Sequence, residues 1–173
     1  ELNEFCQKHT TEKNINLTTI AAAIATYERT VVSERAPFDR WVEGEESAIS
    51  DGAKRGFLTF NKKANCAVCH TGWRFTDDAF HDIGLPGNDK GRGKLVSDVA
   101  ELQHAFKTPT LRNIAERAPY MHDGSLGTLD AVIRHYERDF IKRESLSDEM
   151  RAYTLSAQER ADLIAFLTTL TSA

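Results

Sequence analysis

Apolar residues recur at helical spacing over most of the chain. Leu17, Ile20, Ala21, Ile24, Tyr27 and Val31 follow one another at three- and four-residue steps. That is the pattern of an amphipathic helix with one apolar stripe, which Asn16 or Thr18 is placed to cap. Pro37 ends this run and opens a short second helix, Pro37-Phe38-Asp39-Arg40-Trp41, with proline in the first turn where its missing N–H is no loss. Ser50 or Asp51 marks the start of a third helix carrying Ala53, Phe57 and Phe60. Further on, Thr128 is placed to cap a helix running from Leu129 to about Asp139. Ser156-Ala157-Gln158-Glu159 reads as a capping box ahead of Leu163, Ile164, Phe166, Leu167 and Leu170. The charged stretch from Glu137 to Met150 reads as a solvated connection. No strand pair, internal repeat or low-complexity segment is expected.

Between about residues 71 and 128 the periodicity lapses. Gly72, Gly84, Pro86, Gly87, Gly91, Gly93, Pro109, Pro119, Gly124 and Gly127 punctuate a long loop, with a short helix expected near Val99 to His104. A loop of this length inside a compact domain is unusual unless it wraps something, and a bound cofactor is the expected content. The chain therefore predicts an all-α domain with long wrapping loops, divided into a lead-in segment, 1–16, and a helical domain, 17–173.

Composition narrows the function classes. A length of 173 residues suits one domain. A net charge of −4, from 22 basic and 26 acidic residues, gives no general attraction to nucleic acid or anionic lipid. The longest apolar run, Ile20 to Ala25, is far short of the roughly 20 residues of a membrane span. The sequence starts at Glu1 without a targeting segment, so a processed chain or a piece of a longer one is expected. Cys6, Cys66 and Cys69 are the only cysteines, which argues against a disulfide framework.

The chemistry sits in Cys66-Ala67-Val68-Cys69-His70. A C-x-x-C-H sequence is a c-type haem attachment site. Two thiols three residues apart on a starting helical turn can each add to a haem vinyl group, and the adjacent imidazole then lies under the iron. A thioredoxin-like motif would need a preceding strand and a βαβ setting. A zinc site would need a fourth ligand at metal spacing. Neither is present. Cys6 reads as a spare thiol. The expected fold is thus a cytochrome c-like helical domain with haem-wrapping loops.

His70 fills one axial position. Candidates for the other are Met121, Met150, Tyr120, Tyr136, His81, His104, His122 and His135. In the helix after Thr128, the residues Leu129, Val132, Ile133, Tyr136 and Phe140 share a face, so Tyr136 is expected to point inward. His135 is rotated roughly 100° away, toward solvent. Met150, among charges, is expected to be exposed. Met121 and His122 lie in a tight Pro119-to-Gly124 loop that could cover the haem edge. A thioether raises the reduction potential, whereas a phenolate favours ferric iron. A buried core tyrosine is the competing reading of Tyr136.

Several ordered motifs resemble a known family: AAIATYERT at Ala22–Thr30, APFDRW at Ala36–Trp41, CAVCHTG at Cys66–Gly72, FHDIGLP at Phe80–Pro86 and FKTPTLRNIAERAPYMHDG at Phe106–Gly124. They resemble the C-terminal haem domain of the bacterial di-haem cytochrome c peroxidase superfamily, and within it the MauG-like branch. The resemblance implies one covalent haem on Cys66 and Cys69 with His70 proximal. It implies Tyr136 as the distal ligand, where peroxidases carry Met, with Met121 as fallback. It further implies a Ca²⁺ between the family's two domains, using carbonyls that match Arg117 and Pro119. Arg92 could pair with a haem propionate. His81, Lys107, Arg112, His122 and Asp123 are expected to line or brace the pocket, with His122 beside Tyr136 in the chemistry. Trp73 could pass electrons, although core packing is its more frequent use.

The implied activity is H₂O₂-dependent oxidation of a partner. This chain would relay electrons and store oxidising equivalents, and a stand-alone monohaem electron carrier is the alternative. The implied partners are an N-terminal haem domain or second haem-bearing chain, and a small cytochrome, copper protein or protein substrate. Haem attachment outside the cytoplasm implies a periplasmic site.

Overall fold

The computed structural model describes residues 15–172, so Cys6 lies outside the described residues. Contacts divide the chain into two compact units, 1–34 and 35–173.

The first unit contains helix α1, Leu17–Glu28, whose N terminus is closed by the Asn16 side chain accepting from the Thr19 N–H. The expected apolar stripe is not the buried face. Leu17 is 86% exposed and Tyr27 62%, while Thr19 and Ala23 are buried. Periodicity shows which face is apolar, not whether anything covers it.

The second unit is built on helices α2 (Pro37–Val42), α3 (Asp51–Asn61), α4 (Leu129–Arg138) and α5 (Ala157–Thr168). Each begins where local chemistry satisfies its free N–H groups. Ser50 accepts from Ala53, Thr128 from Ala131, and Ser156 forms a reciprocal capping box with Glu159. Asp39, in the first turn of α2, reaches back to the Ala36 N–H at 2.8 Å.

Helices α3 and α5 pack at close range because Gly56 has no side chain. A Cβ there would collide with the Asp162 carbonyl and come within 2.9 Å of the Phe166 Cβ. Behind this crossing lies an aromatic cluster. The rings of Phe38, Phe57, Phe60 and Phe75 all pack on or near Phe166, with centroid separations of 5.1 to 6.2 Å. Leu111, Ile114, Tyr120, Ile133, Leu155, Leu163 and Leu170 complete the core.

The long middle segment is loop and turn, with short 3₁₀ turns at Arg92–Lys94, Ala100–Leu102 and Ile114–Glu116. The expectation of no strand pair fails in one place. Strands β1 (Phe80–His81) and β2 (Phe106–Lys107) form an antiparallel pair, too short for alternation to reveal.

The connection after α4 is not simply solvated. Asp82, 1% exposed, takes a bidentate pair from Arg143 at 2.6 and 2.7 Å and a hydrogen bond from Ser145 at 2.7 Å. Gly84 permits this closure, since its φ is +68° and a Cβ would strike Ile141 and Phe140. No helix among the described residues is long and apolar enough to cross a membrane.

Candidate functional site

The loop from Asn65 to Phe75 is shaped around His70. Asn65 sits in the left-handed region at φ 55° and starts the 3₁₀ turn Cys66–Val68. Phe75 is also left-handed at φ 55°, a conformation uncommon for an aromatic residue. It allows the Phe75 ring to enter the core while its carbonyl turns back to His70. The His70 Nδ1 lies 2.9 Å from that carbonyl. A carbonyl only accepts, so Nδ1 carries the proton and Nε2 keeps a free lone pair. Burial lowers the His70 pKa, so the ring stays neutral. A neutral imidazole oriented through its second nitrogen is the form that binds a metal.

Arg112 fixes the outer side of the same loop. It donates to the Trp73 carbonyl at 2.8 Å and makes a bidentate pair with Asp39, both contacts at 2.7 Å. It therefore braces the loop rather than lining the cavity. Trp73 itself is 67% exposed, not packed in the core, because the tight turn to Phe75 spends the inward direction on the phenylalanine.

In front of His70 lies a cavity of about 410 Å³. Cys66, Cys69 and His70 form one part of its wall, and the long middle segment contributes His81, Lys107, Arg117, Pro119, Met121 and His122. Tyr136 enters from α4, and Met150 and Tyr153 enter from the connection that follows it. The middle segment thus wraps a hollow. Met121 is held at φ 70°, and the His122 ring stacks on Phe106 at 3.5 Å.

Other expected residues lie elsewhere. Arg92 sits over the Phe80 ring at 4.9 Å in an adjoining hollow that shares Phe106 and Lys107 with the main cavity. Asp123 is exposed and caps the Ser125 N–H at 3.0 Å. The His104 Nδ1 donates to the Asp89 carbonyl at 2.8 Å, outside the cavity. Two orientations differ from expectation. His135 is buried, with Nε2 donating to the Ile83 carbonyl at 2.9 Å, because the 82–84 loop covers the side of α4 that phase alone would leave to water. Met150 lines the cavity because the Asp82–Arg143 pair draws its segment inward. Tyr153 has no sequence signal: it lies outside any regular element, and only tertiary folding brings it to the wall.

The electrostatics are those of a largely apolar hollow. Burial pushes the Cys66 thiol up to about 12 and the Cys69 thiol up to about 11, so both stay protonated at neutral pH. Burial, then the two cysteines, raises the Tyr136 phenol. Cys69, Asp77 and His81 present ligating atoms within 4.8 Å of one another, and the His81 Nε2 lies 2.7 Å from Asp77. The Cys69 sulfur is the atom a thioether link would use, so this cluster is part of the same site.

The residues fit a covalently held haem. Two adjacent thiols, a neutral imidazole with a free nitrogen, and phenol and thioether side chains surround an apolar hollow of cofactor size.

Comparison with known proteins agrees. The cytochrome c family profile matches residues 53–171, and the di-haem cytochrome c peroxidase profile matches residues 2–47. The methylamine utilization protein MauG of Methylophilus methylotrophus is 56% identical over 162 residues, covering 92% of this chain and 48% of that protein. The cytochrome c551 peroxidase of Nitrosomonas europaea is 32% identical over 163 residues, covering 91% and 45%. A crystal structure of a MauG-like protein associated with microbial copper homeostasis superposes with a TM-score of 0.79 at 32% identity, covering 95% of this chain and 60% of that one. The chain spans about half the length of the relatives it matches. With the attachment motif, the oriented imidazole and the enclosing fold all in place, the chain belongs to the cytochrome c family, in its di-haem peroxidase and MauG group.

Proposed function

We propose that this chain is the electron-relaying haem domain of a MauG-like or peroxidase-type oxidoreductase that uses H₂O₂ to oxidise a partner. The observation that carries the reading is the convergence of Cys66, Cys69, His70 and Tyr136 on one cavity. Cys66 and Cys69 would hold the haem through thioether bonds, and His70 Nε2 and the Tyr136 oxygen are the groups that would hold its iron. When bound, haem c supplies reversible one-electron chemistry at iron. The polypeptide does the rest. The Phe75 carbonyl keeps the His70 ring in one tautomer and orientation, and the Arg112–Asp39 pair holds the loop that carries it. Apolar walls keep water from the ligands. Met121 and His122 line the hollow beside Lys107 and His81, where their side chains would border the cofactor.

A second haem-bearing domain or chain would complete the enzyme. The di-haem peroxidase profile matches residues 2–47, and the apolar stripe of α1 stands exposed within that range. An apolar helix face of this kind suits a partner domain. The carbonyls of Arg117 and Pro119 accept no hydrogen bond from the described residues, which suits a Ca²⁺ whose remaining ligands come from that domain. The electron donor would be a small cytochrome, a copper protein or a protein side chain, in the periplasm where c-type haem is attached.

The balance is simple: H₂O₂ takes up two electrons and two protons to give two waters, and the partner loses the two electrons. The test mixes the ferric haem-loaded chain with H₂O₂ and a reduced small cytochrome, with and without the second haem-bearing polypeptide. Peroxide-dependent oxidation is expected when both polypeptides are present. If both are present, each with its haem counted, and nothing is oxidised, the enzyme reading is wrong and the chain is an electron carrier.

A further inference from the structure

The loop that follows His70 is fastened to the 108–112 stretch at several points. The Trp73 carbonyl accepts from Arg112 Nε at 2.8 Å, and the Arg74 carbonyl accepts from the Thr110 hydroxyl at 2.5 Å. The Thr76 hydroxyl donates to the Thr108 carbonyl at 2.7 Å. Arg112 carries this fastening on to a helix. Its Nη1 and Nη2 donate to the two carboxylate oxygens of Asp39, both at 2.7 Å. Asp39 is itself fixed in the first turn of α2, where it accepts from the Ala36 N–H at 2.8 Å.

Phe75 lies in the middle of this fastened stretch, at φ 55°. A left-handed aromatic residue is strained, and such strain persists where the surroundings over-determine the backbone. Arg112 supplies much of that constraint. It holds the carbonyl two residues before Phe75, and its guanidinium carbon lies over the Phe75 ring, 5.4 Å from the centroid. Arg112 is 8% exposed, so its planar fork has little freedom to swing. The outcome is the aim of the Phe75 carbonyl, 2.9 Å from His70 Nδ1. An imidazole that donates through one nitrogen becomes the more basic ligand through the other.

We propose that Arg112 and Asp39 are positioning residues for the His70 imidazole: by holding the Phe75 carbonyl on Nδ1 they set the donor strength of Nε2, and with it the reduction potential of the haem. This rests on the reading of His70 as a haem ligand. A stronger nitrogen donor favours ferric over ferrous iron. When the clamp opens, Phe75 relaxes toward an ordinary φ, its carbonyl turns from Nδ1 and the potential rises. Charge alone acts differently. Loss of the Arg112 cation would lower the potential, whereas loss of the Asp39 anion would raise it. Positioning gives both losses the same sign.

The test uses the haem-loaded chain and four variants: Arg112→Lys, Arg112→Gln, Asp39→Asn, and Arg112→Gln combined with Asp39→Asn. Lysine keeps the charge but loses the fork, and the double variant removes both charges, so neither leaves a buried charge unpaired. Covalent haem is confirmed by mass and helicity by circular dichroism. The readouts are the reduction midpoint and the imidazole N–H signals of the ¹⁵N-histidine-labelled ferric protein. All four variants should raise the midpoint, favouring ferrous over ferric haem by roughly tenfold, equivalent to about 59 mV for one electron. The His70 Nδ1–H should exchange faster with solvent in each. Midpoints of opposite sign in the two single charge-removing variants, with Arg112→Lys unshifted, would make the effect one of charge and overturn the proposal. Lower melting temperatures with unmoved midpoints would reduce the pair to a structural brace and overturn it equally. If no imidazole signal of the parent chain is shifted by the ferric iron, the reading of His70 as haem ligand fails, and the proposal with it.

Discussion

Phe75 illustrates how one residue can join core and site. Its ring belongs to the aromatic cluster around Phe166, and its left-handed backbone presents a carbonyl to His70. Glu137 does comparable work on the opposite wall. It is 5% exposed and satisfies both Arg160 and the Leu155 N–H. Removing one member of a buried charge pair leaves the other uncompensated, which costs about 3–5 kcal/mol. Glu137→Ala should therefore destabilise the haem-loaded chain by about 3 kcal/mol in denaturant unfolding. Glu137→Gln, which keeps an acceptor for Leu155, should lose less. Equal losses for the two variants would show that the Leu155 bond contributes nothing. None of this was legible in the sequence, where Glu137 opens a charged stretch. Its partners lie at 155 and 160, beyond a turn that local pattern does not define.

At the scale of elements, the α3–α5 crossing depends on Gly56. In an exposed helix, replacing glycine by alanine gains about 1 kcal/mol of helix propensity. Here the added Cβ meets the Asp162 backbone, and overpacking of this kind costs about 1–3 kcal/mol or more. The clash should win, so Gly56→Ala should lower the melting temperature of the haem-loaded chain. A higher melting temperature would mean that the two helices can separate at little cost. The helices themselves were legible because their signals are local: Ser50, Thr128 and the Ser156–Glu159 box cap where expected. The β1–β2 pair was not, since two residues per strand leave no alternation to read.

For the whole molecule, acid is the expected weakness. Burial alone would raise the pKa of Asp82, but the hydrogen bonds from Arg143, Ser145 and the Gly84 N–H outweigh it, and the net shift is downward. Asp39 behaves alike: burial opposes, while Arg112 and the Ala36 N–H prevail. A carboxyl whose folded pKa lies below its unfolded value stabilises the fold above the unfolded pKa. That stability is lost as pH falls through the folded one. Stability should therefore hold above about pH 4 and decline below it. In Asp82→Asn the decline should be shallower, from a lower starting point, as read from denaturant midpoints between about pH 2 and 7. An unchanged slope in that variant would remove Asp82 from the account. Both aspartates tie distant parts of the second unit, Asp82 to Arg143 and Asp39 to Arg112, so their protonation loosens the walls of the cavity together.

The sequence by itself determined the local chemistry: the helix starts, the spacing of Cys66, Cys69 and His70, and the inward phase of Tyr136. These depend on neighbours a few residues away, which a linear pattern records. Tertiary structure decided what depends on distant partners. It buried His135 under the 82–84 loop, drew Met150 and Tyr153 to the cavity wall, left Trp73 in solvent and moved Arg92 to an adjoining hollow. Burial is a property of what packs across a residue. Where the covering segment lies tens of residues away in the chain, helical phase names a direction but cannot say what waits there.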